Sequence, residues 1–158
     1  MKHACVLTII ALLPLLAAPD NPAVGTWKLD VAKSKFSPGP PPKSAKLVIE
    51  AAGDGVKTSC EEVEADDSHM GYEYTAPLDG QDHPLTGPSR PDRLSGAETV
   101  VLRPNGSRTY GAMFKKSGQV VMTNMTSVSK DGKTLTLIVN GSNAKGEPLK
   151  LMTVWEKQ

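Results

Sequence analysis

Two histidines, one cysteine and three tyrosines hold most of the reactive chemistry beyond the first twenty residues. The histidines are His69 and His83. Zinc catalysis generally takes three protein ligands, so two histidines are a poor start. Asp66, Asp67 and His69 could grip a cation at a hairpin tip, and such an oxygen-rich set suits calcium better than zinc. Glu61, Glu62 and Glu64 stand beside them, and the whole run reads more simply as a solvated acidic face. Cys60 alternates with Val56 and Thr58, the pattern of a small buried residue in a strand. A nucleophilic thiolate would need a basic neighbour, and the nearest histidine, His69, lies across a predicted turn. Gly-x-Ser-x-Gly, His-Glu-x-x-His, Cys-x-x-Cys, a phosphate loop and a dinucleotide fingerprint are all missing. The chain therefore reads as a non-enzyme, with no metal and no cofactor expected.

Binding is the chemistry that remains. Read with period 2, Met70, Tyr72 and Tyr74 share one strand face, and Arg108, Tyr110, Ala112 and Phe114 share another. Val120, Met122, Asn124, Thr126 and Val128 form a third. Turned inward, these faces give apolar walls with a few orienting polar groups, the make-up of a small-molecule site. Tyr72, Tyr74 and Tyr110 would supply ring contact, and Arg108 and Asn124 would orient the polar end of a small hydrophobic ligand. The rival is a filled barrel: a structural or protein-interaction module using the Pro38–Pro42 loop or the Ser89–Ser95 insertion. Both faces of these strands carry apolar residues, so parity alone does not settle which face is inside.

These residues need strands to hold them. From Ala97 to Trp155, runs rich in β-branched and apolar residues are cut by polar turns ending in Gly106, Gly118, Gly132 and Gly146, with no proline between Pro104 and Pro148. That is the grammar of an antiparallel meander. Earlier strands are expected over Ala23–Asp30, Ser44–Ala51, Val56–Ala65 and His69–Ala76. Two proline-rich loops interrupt them, at 36–43 and 77–96, with room in the second for one short strand, His83–Thr86. No segment keeps apolar residues at helical spacing for three turns. The fold expected is all-β: an antiparallel up-and-down meander closing into a barrel of about 8–10 strands, since closure removes exposed edges. A two-sheet β-sandwich is the alternative. Closure would make the first and last strands neighbours and bring Trp27 and Trp155 together at the seam.

The chain begins Met1-Lys2-His3 and continues with the apolar run Val6–Ala18. This run is shorter than the ~20 residues a bilayer crossing needs and ends in small residues. Residues 1–18 read as a secretory signal peptide cut between Ala17 and Asn21. A single domain, 23–158, would follow, exported to the periplasm or beyond and without a membrane anchor. The 18 Lys and Arg nearly balance the 17 Asp and Glu, so nothing draws the domain to nucleic acid. The sequence leaves any protein partner unidentified.

Gly25-Thr26-Trp27 matches the Gly-x-Trp near the start of lipocalins. Together with Ala32-Lys33-Ser34-Lys35-Phe36, Ser129-Lys130-Asp131-Gly132-Lys133-Thr134 and the Val154-Trp155-Glu156-Lys157 end, it resembles small exported bacterial proteins described as lipocalin-like. The resemblance spans nearly the whole domain. It implies an up-and-down barrel, a small apolar ligand, and Trp27 as a structural plug in the barrel floor. Where lipocalins cover that tryptophan with a late arginine, the last strand offers Lys150 and Lys157.

Overall fold

A computed structural model describes residues 21–85, 94–143 and 145–158. The expected signal peptide and most of the Ser89–Ser95 insertion lie outside the described residues. Ten strands occur among those described: β1 (Gly25–Ser37), β2 (Ser44–Ala52), β3 (Gly55–Val63), β4 (His69–Pro77), β5 (His83–Pro84), β6 (Thr99–Pro104), β7 (Thr109–Lys116), β8 (Gln119–Val128), β9 (Thr134–Ser142) and β10 (Pro148–Lys157). They form one antiparallel sheet in the order β4-β3-β2-β1-β10-β9-β8-β7-β6-β5. One continuous sheet carrying a single core is a nearly closed barrel, and the sandwich alternative falls away. Every consecutive pair of strands is hydrogen-bonded except β4 and β5, which form the two edges, and the chain's first and last strands meet where β1 pairs with β10.

The turns work as their residues require. Gly106, Gly118, Gly132 and Gly146 take φ of +103°, +76°, +71° and +79°, values that carry little cost only for glycine. At the β8–β9 turn, Asp131 Oδ1 accepts the Ser129 hydroxyl at 2.6 Å and the Lys133 N–H at 3.1 Å. Asp66 and Asp67 are spent the same way. Asp66 Oδ1 accepts the Ser68 N–H at 3.0 Å, and Asp67 pairs with Lys43 at 2.5 Å. Asp66–Ser68 is a solvated turn, and His69 opens β4 opposite Val63.

β1 is longer than the sequence implies. Phe36 and Ser37, expected in the first proline loop, pair with Leu151 and Lys150 of β10. The ladder stops at Pro38, which has no N–H to give. Register shifts between Asp30 and Lys35, so the strand bends over a bulge. Ser34 holds that bulge: its hydroxyl donates to the Asp30 carbonyl at 2.6 Å and accepts the Val154 N–H at 2.9 Å. Lys33 bridges Asp30 at 2.8 Å and Glu156 at 2.9 Å on the outside. The motif Ala32–Phe36 thus turns β1 from the barrel wall towards its mouth.

Candidate functional site

The barrel floor is built first. Trp27 is fully buried and donates its indole N–H to the Ala23 carbonyl at 2.9 Å. Across the seam Leu29 faces Trp155, and Trp27 faces Lys157, so the two tryptophans are diagonal neighbours. Lys157 Nζ lies 5.2 Å from the Trp27 ring centroid and donates to the Val24 carbonyl at 3.3 Å. Gly25 makes room for it: a Cβ there would stand 2.9 Å from Lys157 Cε. The Gly-x-Trp pattern and the terminal lysine are therefore two halves of one device. The lysine stem covers the indole and its ammonium meets the ring face.

Above the floor the interior is stacked in layers set by register. Thr153, Leu137, Thr126 and Tyr110 stand in one row across β10, β9, β8 and β7, and Thr58 pairs with Tyr74 across β3 and β4. Thr58, Tyr74, Tyr110 and Thr126 are all buried, making a layer of hydroxyls. Burial holds Tyr74 well above the usual tyrosine range and pushes Tyr110 up to about 12, the Thr126 and Thr58 hydroxyls easing the latter slightly. Thr58 Oγ1 stands near enough to both phenols to be felt. Even so, it makes no hydrogen bond of ordinary geometry among the described residues. The Tyr74 ring meets Phe114 edge-on at 5.6 Å and stacks on Tyr72 at 6.3 Å. This layer is closed on the tyrosine side, while Leu137 and Thr153 of the same row face open space.

The next layer borders that space. Ala112, Asn124, Val139 and Leu151 form its row on one side, Cys60 and Tyr72 on the other. Leu137, Leu151, Tyr72 and Asn124 turn inward yet remain only half-buried, because they border a cavity of about 180 Å³. Trp155 and Phe114 help wall it, and Pro38, Pro40 and Pro42 reach over its mouth. The proline loop is thus a strap across one end of the barrel. Pro42 is buried under it, and Lys43 N–H donates to the Val63 carbonyl at 2.7 Å to tie it down.

The mouth has a second cover. Leu94 is buried against the cavity, and the Ser95 hydroxyl donates to the Ser142 carbonyl. The sequence suggested an exposed insertion there; Leu94, the lone apolar residue in a polar stretch, is what pins its end.

Of the residues singled out for ligand contact, Tyr72 and Asn124 border the cavity. Tyr74 and Tyr110 are buried in the hydroxyl layer and do not line the cavity. Arg108 is exposed and precedes β7, at the β6–β7 turn, so it orients nothing inside. Its face assignment ran one residue past the strand end. Val120 likewise leaves the face of Met122 and Asn124. A bulge between Phe114 and Lys115 shifts the register of β8, and Val120 is 51% exposed.

The polar groups at the cavity form two sets. Thr153 Oγ1 accepts the Trp155 indole N–H at 2.8 Å and donates to the Leu137 carbonyl at 3.5 Å, so it is satisfied. Cys60 is buried and sends its S–H towards Glu62 Oε1 at 3.6 Å. Burial drives the Tyr72 phenol well above its usual range, with the neighbouring Cys60 and Tyr74 adding to it. The phenol therefore stays a donor at any physiological pH. Asn124 Oδ1 is buried and has no hydrogen-bond partner among the described residues.

No family model matches this sequence, and no curated protein matches it. Among solved structures, the chain is similar to zebrafish ileal bile acid-binding protein complexed with cholic acid. The TM-score is 0.51 at 14% identity, covering 87% of this chain and 100% of that one. The likeness is one of fold alone.

Proposed function

We propose that this chain is a non-enzymatic, exported binding barrel that takes a small, mostly apolar molecule into the cavity beneath the proline strap. The observation that carries this reading is the cavity itself. Close-packed interiors leave few voids larger than a water molecule, and a void of about 180 Å³ bordered by Leu, Val, Phe and Trp side chains departs from that rule. A bile acid-binding protein of similar fold supports it by analogy. Export rests on the sequence of residues 1–18.

The experiment is a calorimetric titration of the purified protein with benzene, with Trp155 fluorescence as a second readout. Saturable heat with a change in Trp155 emission is expected. Absence of both would sink the reading. Export is checked by N-terminal sequencing of protein recovered outside the cytoplasm, which should start between Ala18 and Asn21. The buried hydroxyl layer favours a second reading, a barrel serving as a scaffold for a protein partner. On that reading benzene gives no heat.

A further inference from the structure

Independently of the cavity, we propose that the outer wall of β8, β9 and β10 is a docking face for an anionic lipid surface. An apolar row crosses this wall. Met125 of β8 pairs with Ile138 of β9, and Ile138 pairs with Met152 of β10, so the three outward side chains are cross-strand neighbours. Met125 is 37% exposed and Ile138 44%. Gly111 faces Met125 from β7 and leaves the thioether lying beside bare backbone: a Cβ there would stand 3.7 Å from Met125 Cε. The other half of the barrel shows what this chain builds where a wall meets only water. There Lys46 stands opposite Glu61 and Glu50 opposite Lys57, and Lys57 bridges Glu73 at 3.2 Å. Single exposed apolar residues need no explanation, whereas contiguous ones with a polar rim mark a contact face.

Charge identifies the partner. The row ends in Lys35, opposite Met152, on one side and in Arg103, opposite Gly111, on the other. Lys150 stands in the next row, opposite Ser37 and Asn140. All three cations are exposed, and Arg103 donates only to the Gly80 carbonyl at 3.3 Å among its described side-chain contacts. On β1 and β10 the carboxylates Asp30 and Glu156 are both held by Lys33, at 2.8 and 2.9 Å. A second copy of this wall would set one basic end against another, since both ends of the row carry cations. A bilayer with anionic headgroups answers both features. The Met and Ile side chains enter the boundary between headgroups and tails, while the lysine stems lie along it and their ammonium groups meet phosphate. Flexible thioether chains suit a fluid surface that offers no fixed pocket.

The test is flotation of the purified protein with vesicles of phosphatidylcholine alone and of phosphatidylcholine mixed equally with phosphatidylglycerol. Binding to the mixed vesicles is expected, several-fold stronger than to phosphatidylcholine and falling as salt is raised. Lys35→Gln with Lys150→Gln should weaken it about 25-fold, roughly fivefold for each charge removed. Ile138→Thr keeps the β-branch that a strand favours and should weaken it several-fold. Lys46→Gln with Lys57→Gln removes the same charge from the β2–β3 wall and should leave binding close to wild type. The run Val6–Ala18 is common to every variant, so differences between variants report the wall. Circular dichroism checks that each one folds, and Met125→Thr, one strand away, repeats the apolar arm should Ile138→Thr fold poorly. No binding to either vesicle, equal binding to both, equal losses in the two lysine pairs, or undiminished binding in a folded apolar variant would each overturn the inference. So would a wild-type dimer that Ile138→Thr turns into a monomer, because the row would then meet a second copy of the chain. Failure of benzene to bind leaves this inference standing.

Discussion

Whether the space beneath the strap is a held-open site or a fault in packing can be asked at Val139. This side chain is 7% exposed, borders the cavity, and stands between Asn124 and Leu151 in the ladder. Val139→Ile keeps the β-branched shape that a strand favours and adds one methylene pointing into empty space. Burying it is worth ~0.8 kcal/mol, which for a domain of this size raises Tm by about 2–3 °C. Were the interior already filled, the same methylene would be overpacked and would cost about 1–3 kcal/mol, lowering Tm instead. The sign of the change therefore decides. Val139→Phe goes further: a ring attached to the chain occupies the space a ligand ring would take, so benzene binding should vanish while the circular dichroism of the barrel is unchanged. Thermal scans of the three proteins with and without benzene give every quantity needed. A Val139→Ile protein less stable than wild type, or a Val139→Phe protein that binds benzene as wild type does, would refute the reasoning.

Two further outcomes follow from the floor and the tyrosines. Gly25 sits at φ +147° with Lys157 Cε 2.9 Å from where a Cβ would be. Gly25→Ala should cost roughly 1–3 kcal/mol from backbone strain, and Lys157→Ala about 0.5–1 kcal/mol from the lost ring contact. In chemical denaturation the double variant should lose less than the two losses added, because removing the lysine also removes the clash. All three tyrosines, Tyr72, Tyr74 and Tyr110, have folded pKa values above the unfolded value of about 10. Their neutral burial stabilises fully below that pH, and the contribution is lost as pH rises towards and beyond the folded values. Tyrosinate absorbance at 295 nm should therefore lag past pH 10 and rise together with loss of the β signal. A midpoint near 10 with the barrel intact would contradict the burial described above.

The strands and turns were legible because they rest on local rules. A β-strand announces itself through period-2 alternation, and a tight turn through the glycine that its positive φ demands; neither needs knowledge of the rest of the chain. Closure was legible too, since so many hairpins in succession leave two edges that must be managed, and the Trp27–Trp155 neighbourhood followed from it. Even the strap could be read from Pro38–Pro42, which no ladder can absorb.

What tertiary structure alone decided was where alternation stops being a guide. The bulges in β1 and β8 insert residues that reset parity, turning Val120 outward and carrying β1 on to Ser37. Arg108 left the site because the strand began one residue later, and Leu94 entered it from a stretch with no apolar pattern. Sequence could group the tyrosines by strand face but could fix neither which face is inside nor their layer. Register pairs Tyr74 with Thr58 and Tyr110 with Thr126, all four buried, and puts Asn124 two residues further along β8, on the cavity wall. Register and curvature join residues far apart in the chain, and the volume left between them is a sum over all of those partners. That is why the cavity appears only once the sheet has closed.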